Sequence, residues 1–335
     1  MGQLFRYCTA ALSGLLPFRW LQTFNNHKII FPFYHLVANE RVGHVAHLYS
    51  YKNENEFVKD LDFLLKRYKP LSILELYEGK IPDRDSFLLT FDDGLIEFKE
   101  IVAPILLRKG VPAINFLNSG FVDNTDLFYR YKASLLIEET RRDKASCRRL
   151  RELFPESGYG KGVKEKLLKI TYHERESLDI AAHHIGFSYH DYLAKVKPYM
   201  TSEDVRALAK AGFDFGGHSI DHPEYWNLNL ENQVKQTLES VAAARQLTGA
   251  RLRLFSFPFS DTGVKESFFD NEWIKNNVDF MFGTAGIKKE KHRGHFQRIP
   301  MEERKGKKTA EQLLRREYIY FLFKMLLGRN VNHRV

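Results

Sequence analysis

The sequence predicts an α/β barrel with a helical insertion and a C-terminal helix. Two observations carry this. Short apolar runs alternate with helix-spaced apolar patterns at least four times, the signature of β-α-β units. The alternation breaks once, over residues 126–200, which are rich in Lys, Arg, Glu and Tyr and poor in strand character. At 335 residues with 44% hydrophobic and 28% charged side chains, the chain can bury a sizeable core. Strand number and length suit a closed barrel better than an open sheet.

Phe31 to His35 reads as the first strand. Phe57, Leu61, Leu64 and Leu65 mark a helix over 54–68. Phe87 to Phe91, bounded by Asp85 and Gly94, has the pattern of a strand buried on both faces. Phe98, Ile101, Val102, Ile105 and Leu106 form a helix face that stops at Gly110, and Ala113 to Leu117 is the next strand. After the insertion, Thr201 and Asp204 make a capping box, and that helix stops at Gly212. Phe213–Gly217, Leu252–Phe257 and Val278–Gly283 are strands, separated by helices over 230–248 and 264–276. Gln297 to Pro300 closes the series.

Composition excludes some roles. Cys8 and Cys147 are the only cysteines, too few for a disulfide framework or a cysteine zinc knuckle. The net charge is +9, and residues 286–335, with 14 Lys/Arg against 5 Asp/Glu, carry all of it. That stretch also holds the apolar run Tyr318–Phe323, so a basic C-terminal helix (301–335) either docks on the core or touches an anionic membrane. No recognition motif supports nucleic acid as a partner. No run of about 18 apolar residues predicts a transmembrane helix. Residues 1–29 read as a helical lead-in without a clear cleavable signal, which favours a cytoplasmic or peripheral-membrane location.

Three clusters bear chemistry. Thr90-Phe91-Asp92-Asp93-Gly94 ends the buried strand. Adjacent carboxylates repel unless a cation neutralises them, and neighbours on an extended chain point to opposite sides. One can ligate a metal while the other faces a substrate. Alone, the trio equally suits a turn. The second cluster is His218-Ser219-Ile220-Asp221-His222, just after a strand. Two imidazoles and one carboxylate make a three-ligand set with positions left open, as a hydrolytic metal site needs. In a parallel barrel, both clusters fall on one face. The third is Phe255 to Asp261, which alone reads better as a strand-terminating turn, but where the Phe259 N–H would be placed to stabilise an oxyanion.

In this order the three clusters resemble the polysaccharide deacetylases, also called carbohydrate esterase family 4 or the NodB homology domain. The resemblance covers roughly residues 30–125 and 200–300. It implies an irregular (β/α)7 barrel spanning 30–300. It implies Asp92 as catalytic base, and Asp93, His218 and His222 as ligands of a divalent metal, most readily Zn²⁺. The activity implied is metal-assisted removal of acetyl groups from an acetylated glycan. N-deacetylation of an amino sugar is the leading expectation; an O-acetyl esterase and a glycan-binding protein with a degenerate site are the alternatives. The sequence departs from the family in three places, one being Phe259 where a Tyr is common, which leaves the backbone role intact. Ser256 stands near the position of an arginine that steadies the base, leaving Arg251 or Arg253 to reach in. The late histidine that acts as general acid has no clear match; His35, His292 and His295 are the weak candidates, and that role stays unassigned.

Overall fold

A computed structural model describes residues 16–25, 28–80, 83–154, 162–304, 306–332 and 334. Most of the lead-in, with Cys8, lies outside the described residues. Eleven short strands form among the described residues: β1 (Ile29–Ile30), β2 (Pro32–Tyr34), β3 (Lys69–Pro70), β4 (Ser86–Phe87), β5 (Leu89–Phe91), β6 (Ala113–Leu117), β7 (Asp214–Gly217), β8 (Leu254–Ser256), β9 (Phe280–Gly283), β10 (His295–Gln297) and β11 (Ile299–Pro300).

The two long apolar runs each split. Their first halves, β1 and β4, join β3 in a small parallel sheet; their second halves, β2 and β5, enter the barrel. The barrel order is β10-β9-β8-β7-β6-β5-β2-β11, and every pairing is parallel. Its two edges are consecutive in sequence. β10 pairs with β9 (His295 opposite Met281) and β11 with β2 (Ile299 opposite Pro32). One bent segment therefore closes the sheet, with Arg298 at the bend. Seven strand positions result, an irregular (β/α)7 barrel whose strand carboxyl ends all open on one face.

Apolar spacing set most helices where the sequence placed them. Glu54–Arg67 is capped by Asn53, whose side chain accepts from the Glu56 N–H while Glu56 caps in return. Thr201 and Asp204 do the same for Ser202–Lys210. Helix Leu230–Thr248 lies directly on β7 because Gly217 has no side chain: a Cβ there would sit 2.5 Å from Ser240 Oγ and 2.7 Å from the Val241 nitrogen. The stretch expected as one helix over 264–276 is two, Glu266–Phe269 and Glu272–Asn277. Asn271 breaks it, its side chain accepting from the Trp273 and Ile274 N–H groups as a new N-cap.

The insertion is helical. Tyr129–Arg142, Lys144–Leu153, Val163–Leu167, Glu176–Ile185 and Tyr189–Val196 bury Leu136, Leu150, Leu167 and Leu178 in a cluster of their own, shared with Leu36 and Val45. Helix Ala310–Leu326 docks on the main core through Leu313, Leu314, Tyr318, Ile319 and Phe321, and Tyr318 Oη lies 2.5 Å from Tyr68 Oη. The Tyr318–Phe323 run is thus largely an inward face, the core-docked one of the two alternatives the sequence left open. No helix among the described residues is long and apolar enough to cross a membrane.

Candidate active site

The barrel brings the sequence-predicted residues together. Asp92 and Asp93 follow β5, and His218 and His222 follow β7, so both clusters open on the same rim. Asp93 Oδ1 lies 3.6 Å from His218 Nε2 and 3.3 Å from His222 Nε2. Asp93 and both histidines are buried, and Asp93 Oδ1 and His218 Nε2 have no hydrogen-bond partner among the described residues. Buried polar atoms rarely go unpaired. These gaps match the edge of a tetrahedron with metal–ligand bonds of about 2.0–2.1 Å, an edge of roughly 3.3 Å. The three residues fit a divalent cation.

The local backbone is held in an uncommon form. Asp93, Ser219, His222 and Phe259 have φ of 73°, 70°, 61° and 55°. Left-handed conformations are costly for such residues, and they gather where a site over-determines them. Here they shape the turns after β5, β7 and β8 that bring Asp93, His222 and Phe259 together. Gly94 continues the same sharp turn at φ 67°.

Neighbours fix the ligand atoms. His218 Nδ1 lies 2.8 Å from the Ser256 carbonyl and must donate to it, which leaves Nε2 a lone pair toward Asp93. Burial lowers the His218 pKa to about 4, so the ring is neutral, the form a ligand needs. Burial also opposes ionisation of Asp93, but His222, His35 and His218 outweigh it and hold the carboxyl below the usual range. Tyr131, from the insertion, donates to Asp93 Oδ2 at 2.8 Å. The Phe128 ring lies 4.1 Å from that of His222, and the Phe259 ring closes the other side at 4.6 Å.

Asp92 faces a different partner. Arg298 Nη1 donates to Oδ1 at 2.7 Å and Nη2 to Oδ2 at 2.8 Å, a fork-on-carboxylate pair. Arg298 also reaches Thr90 Oγ1, Ser256 Oγ and the Gly283 carbonyl, and is 0% exposed. Burial opposes ionisation of Asp92, yet Arg298 holds its pKa down. Arg251 and Arg253 do not reach the site. Arg253 pairs with Asp279 at 2.6 Å, and Arg251 lies over Tyr77, both at the amino-terminal end of β8. The bend between β10 and β11 delivers the arginine instead. Its charge satisfies one buried carboxylate, so Arg298→Met is expected to cost about 3–5 kcal/mol in urea unfolding. A loss under about 1 kcal/mol would mean that Asp92 finds another partner.

His292 and His295 are also elsewhere. His292 Nε2 faces Glu266 at 3.1 Å. His295 lies 3.4 Å from Asp261 and 3.5 Å from Glu290, and the Arg334 guanidinium already bridges both carboxylates at 2.5 and 3.1 Å. His35, at the end of β2, is near the site. Its Nδ1 lies 2.6 Å from Glu302 Oε2, and Glu302 Oε1 accepts the His35 and Leu36 N–H groups. Burial works against its protonation, but Glu302, Asp93 and Asp92 together raise its pKa to about 9.

A barrel mouth with paired carboxylates, two histidines and a buried arginine defines a class: parallel α/β barrels with a candidate metal-ligand cluster at the strand carboxyl ends. The polysaccharide deacetylase family model matches residues 79–267, and the chain belongs to that family. Solved structures with the same fold include the Streptococcus pyogenes deacetylase PplD in complex with acetate (15% identity, 86% of this chain and 97% of that one, TM-score 0.54). IcaB from Ammonifex degensii is similar at 13% identity, over 87% of this chain and 97% of that one, with a TM-score of 0.52. BC0361, a polysaccharide deacetylase from Bacillus cereus, is similar at 11%, over 86% and 68%, also at 0.52. No curated protein matches the chain in sequence.

Proposed function

We propose that the protein is a metal-dependent N-deacetylase that releases acetate from an acetylated amino sugar in a glycan or glycan precursor. The observation that supports this most is the meeting of Asp93, His218 and His222 beside a separately held Asp92. Asp93, His218 and His222 would hold the cation. A divalent ion, Zn²⁺ by donor set, would polarise the acetyl carbonyl and acidify water. Asp92 takes the proton of the attacking water, and Arg298 keeps its carboxylate ionised and aimed. The Phe259 N–H makes no hydrogen bond among the described residues and would be the oxyanion donor; the Pro258 carbonyl of the same peptide accepts the Ser260 N–H at 2.6 Å, and Thr284 Oγ1 donates to the Phe259 carbonyl of the next peptide at 3.0 Å. Trp226, 41% exposed and with its ring 6.1 Å from that of Phe259, offers a sugar-stacking surface at the rim.

His35 is the group we assign to protonate the leaving nitrogen. It is partly exposed, lies near both aspartates, and is held protonated by Glu302. His35→Gln is expected to lower kcat by about 10²-fold or more. The sign of its pH effect is fixed. An acid with a raised pKa works below that pKa, so wild-type activity falls as pH rises through it, near 9 or below once a cation at Asp93 opposes the raising charges. That basic limb disappears in the glutamine variant; an unchanged limb excludes His35.

The reading as a whole is tested by metal content and acetate release on one sample. Acetate from acetylated amino-sugar oligomers and none from acetylated xylan supports it. The reverse makes the protein an O-acetyl esterase, and metal without either activity leaves a glycan-binding role.

A further inference from the structure

The helix Phe18–Asn25 has two apolar faces, and the barrel uses only one. Phe18 and Leu21 are buried against helix Ala310–Leu326 and Phe63. Leu16, Trp20 and Phe24 recur every fourth residue and are 41%, 60% and 61% exposed. Trp20 and Phe24, four apart within the helix, share one face; Leu16 precedes the helix, just before Pro17. The Trp20 and Phe24 rings lie 6.4 Å apart. A single exposed apolar residue needs no account, but a stripe of large ones does.

Basic side chains border the stripe. A cavity of about 750 Å³ opens beside Trp20, and Arg19, Lys66, Arg67, Arg84 and Arg315 line it, with no Asp or Glu among the described lining residues. Acidic groups meet this lining at two places: Glu311 pairs with Arg315 at 2.7 Å, and Asp85 accepts from Gln22 at 2.6 Å. Arg67 Nε is buried and has no hydrogen-bond partner among the described residues. An unpaired buried guanidinium N–H in a wall of cations is a binding position for an oxyanion.

The surface also has a defined direction. Lys66 and Arg67 end the helix that leads into β3, Arg84 precedes β4, and Phe18–Asn25 precedes β1. All these lie at the amino-terminal ends of parallel strands, whereas Asp92, Asp93, His218 and His222 follow the carboxyl ends.

We propose that this face docks on an anionic phospholipid bilayer, with Trp20 and Phe24 entering the headgroup–acyl boundary and Arg19, Lys66, Arg67 and Arg84 meeting lipid phosphates. The barrel mouth then points away from the membrane, toward a glycan in the aqueous phase. The charge set favours lipid phosphate because the cations adjoin an apolar stripe; a soluble polyanion would not need Trp20 and Phe24 outside.

Vesicle sedimentation of the full chain tests this. Binding to phosphatidylcholine vesicles with about 30% phosphatidylglycerol should exceed binding to phosphatidylcholine alone by roughly tenfold or more, and should weaken at about 0.5 M salt. Trp20→Ser with Phe24→Ser should lower it roughly tenfold. Arg19→Gln and Lys66→Gln should each cost roughly fivefold. All variants should melt with the parent. Vesicle-borne bromolipid should quench Trp20 in a Trp226→Phe, Trp273→Phe background, and should leave Trp226 unquenched in a Trp20→Phe, Trp273→Phe background. Equal binding to neutral vesicles, unchanged binding in the variants, or retention on a soluble polyanion without vesicle binding would overturn the proposal. Quenching of Trp226 would overturn the orientation.

Discussion

Purified protein is expected to carry about one divalent ion per chain, and His218→Ala or His222→Ala is expected to reduce it to background. With one imidazole gone, a buried carboxylate and one histidine remain, and affinity should fall by roughly a hundredfold or more. In the His218 variant the Ser256 carbonyl also loses its donor. The check is elemental analysis of each variant, with a thermal melt in chelator. A bound ion at about 100 times its Kd adds about 2.7 kcal/mol to the folded state, so chelator should lower the parent's melting temperature and leave the variants unmoved. The Asp261–Glu290–His295 group serves as an internal control, since its ligand atoms also cluster. Arg334 already supplies its positive charge, so His295→Ala should leave the metal count unchanged. Loss of metal in that variant and retention in the other two would move the metal centre.

Much of this was legible in the sequence, and the reasons differ by element. β5 and β6 are buried on both faces and stand out as runs without alternation, while β7, Asp214-Phe215-Gly216-Gly217, is a short glycine-rich run. Asp92-Asp93 and His218-His222 were legible because each sits just past such a run. Gly217 explains why the third run is so short of side chains. Arg298 was missed for a definite reason. Local reasoning looks for the partner of Asp92 in the neighbouring motif, where Arg251 and Arg253 stand. The true partner is 206 residues away, brought in by closure of the sheet between β2 and β9. One signal was available: a charged residue between Gln297 and Ile299 in a closing strand must point either out or into the barrel, and inward it needs an acid. Tyr131 was missed differently. The insertion has no strand or motif to place it, and only its packing against the 36–45 loop carries Tyr131 and Phe128 to Asp93 and His222. The docking of Tyr318 and Phe321 was open for a related reason, since an apolar helix face reads the same whether it meets protein or lipid.

Asp92→Asn should cut acetate release by about 10³-fold or more while keeping the metal. The substitution removes the base, and Asp93, His218 and His222 remain. Its complication is Arg298, which is fully buried and loses the carboxylate that neutralised it. A buried charge stripped of its partner costs about 3–5 kcal/mol. Asparagine keeps an oxygen for one of the two hydrogen bonds, so the lower half of that range is expected. Inactivity alone would therefore be ambiguous between lost chemistry and lost fold. The pair Asp92→Asn with Arg298→Met separates them. Removing both charges leaves no unpaired ion, so the double variant should be more stable than Asp92→Asn alone, yet equally inactive. Arg298→Met alone should behave in the opposite sense. Its Asp92 is buried without the guanidinium that depressed its pKa, so the carboxyl titrates higher. Activity that needs the ionised form is then lost at a higher pH as the solution is acidified, and the acid limb of the pH profile moves up. Recovery of acetate release in the double variant would show that Asp92 serves only to neutralise Arg298. An unmoved acid limb in Arg298→Met would show that some other group is the base.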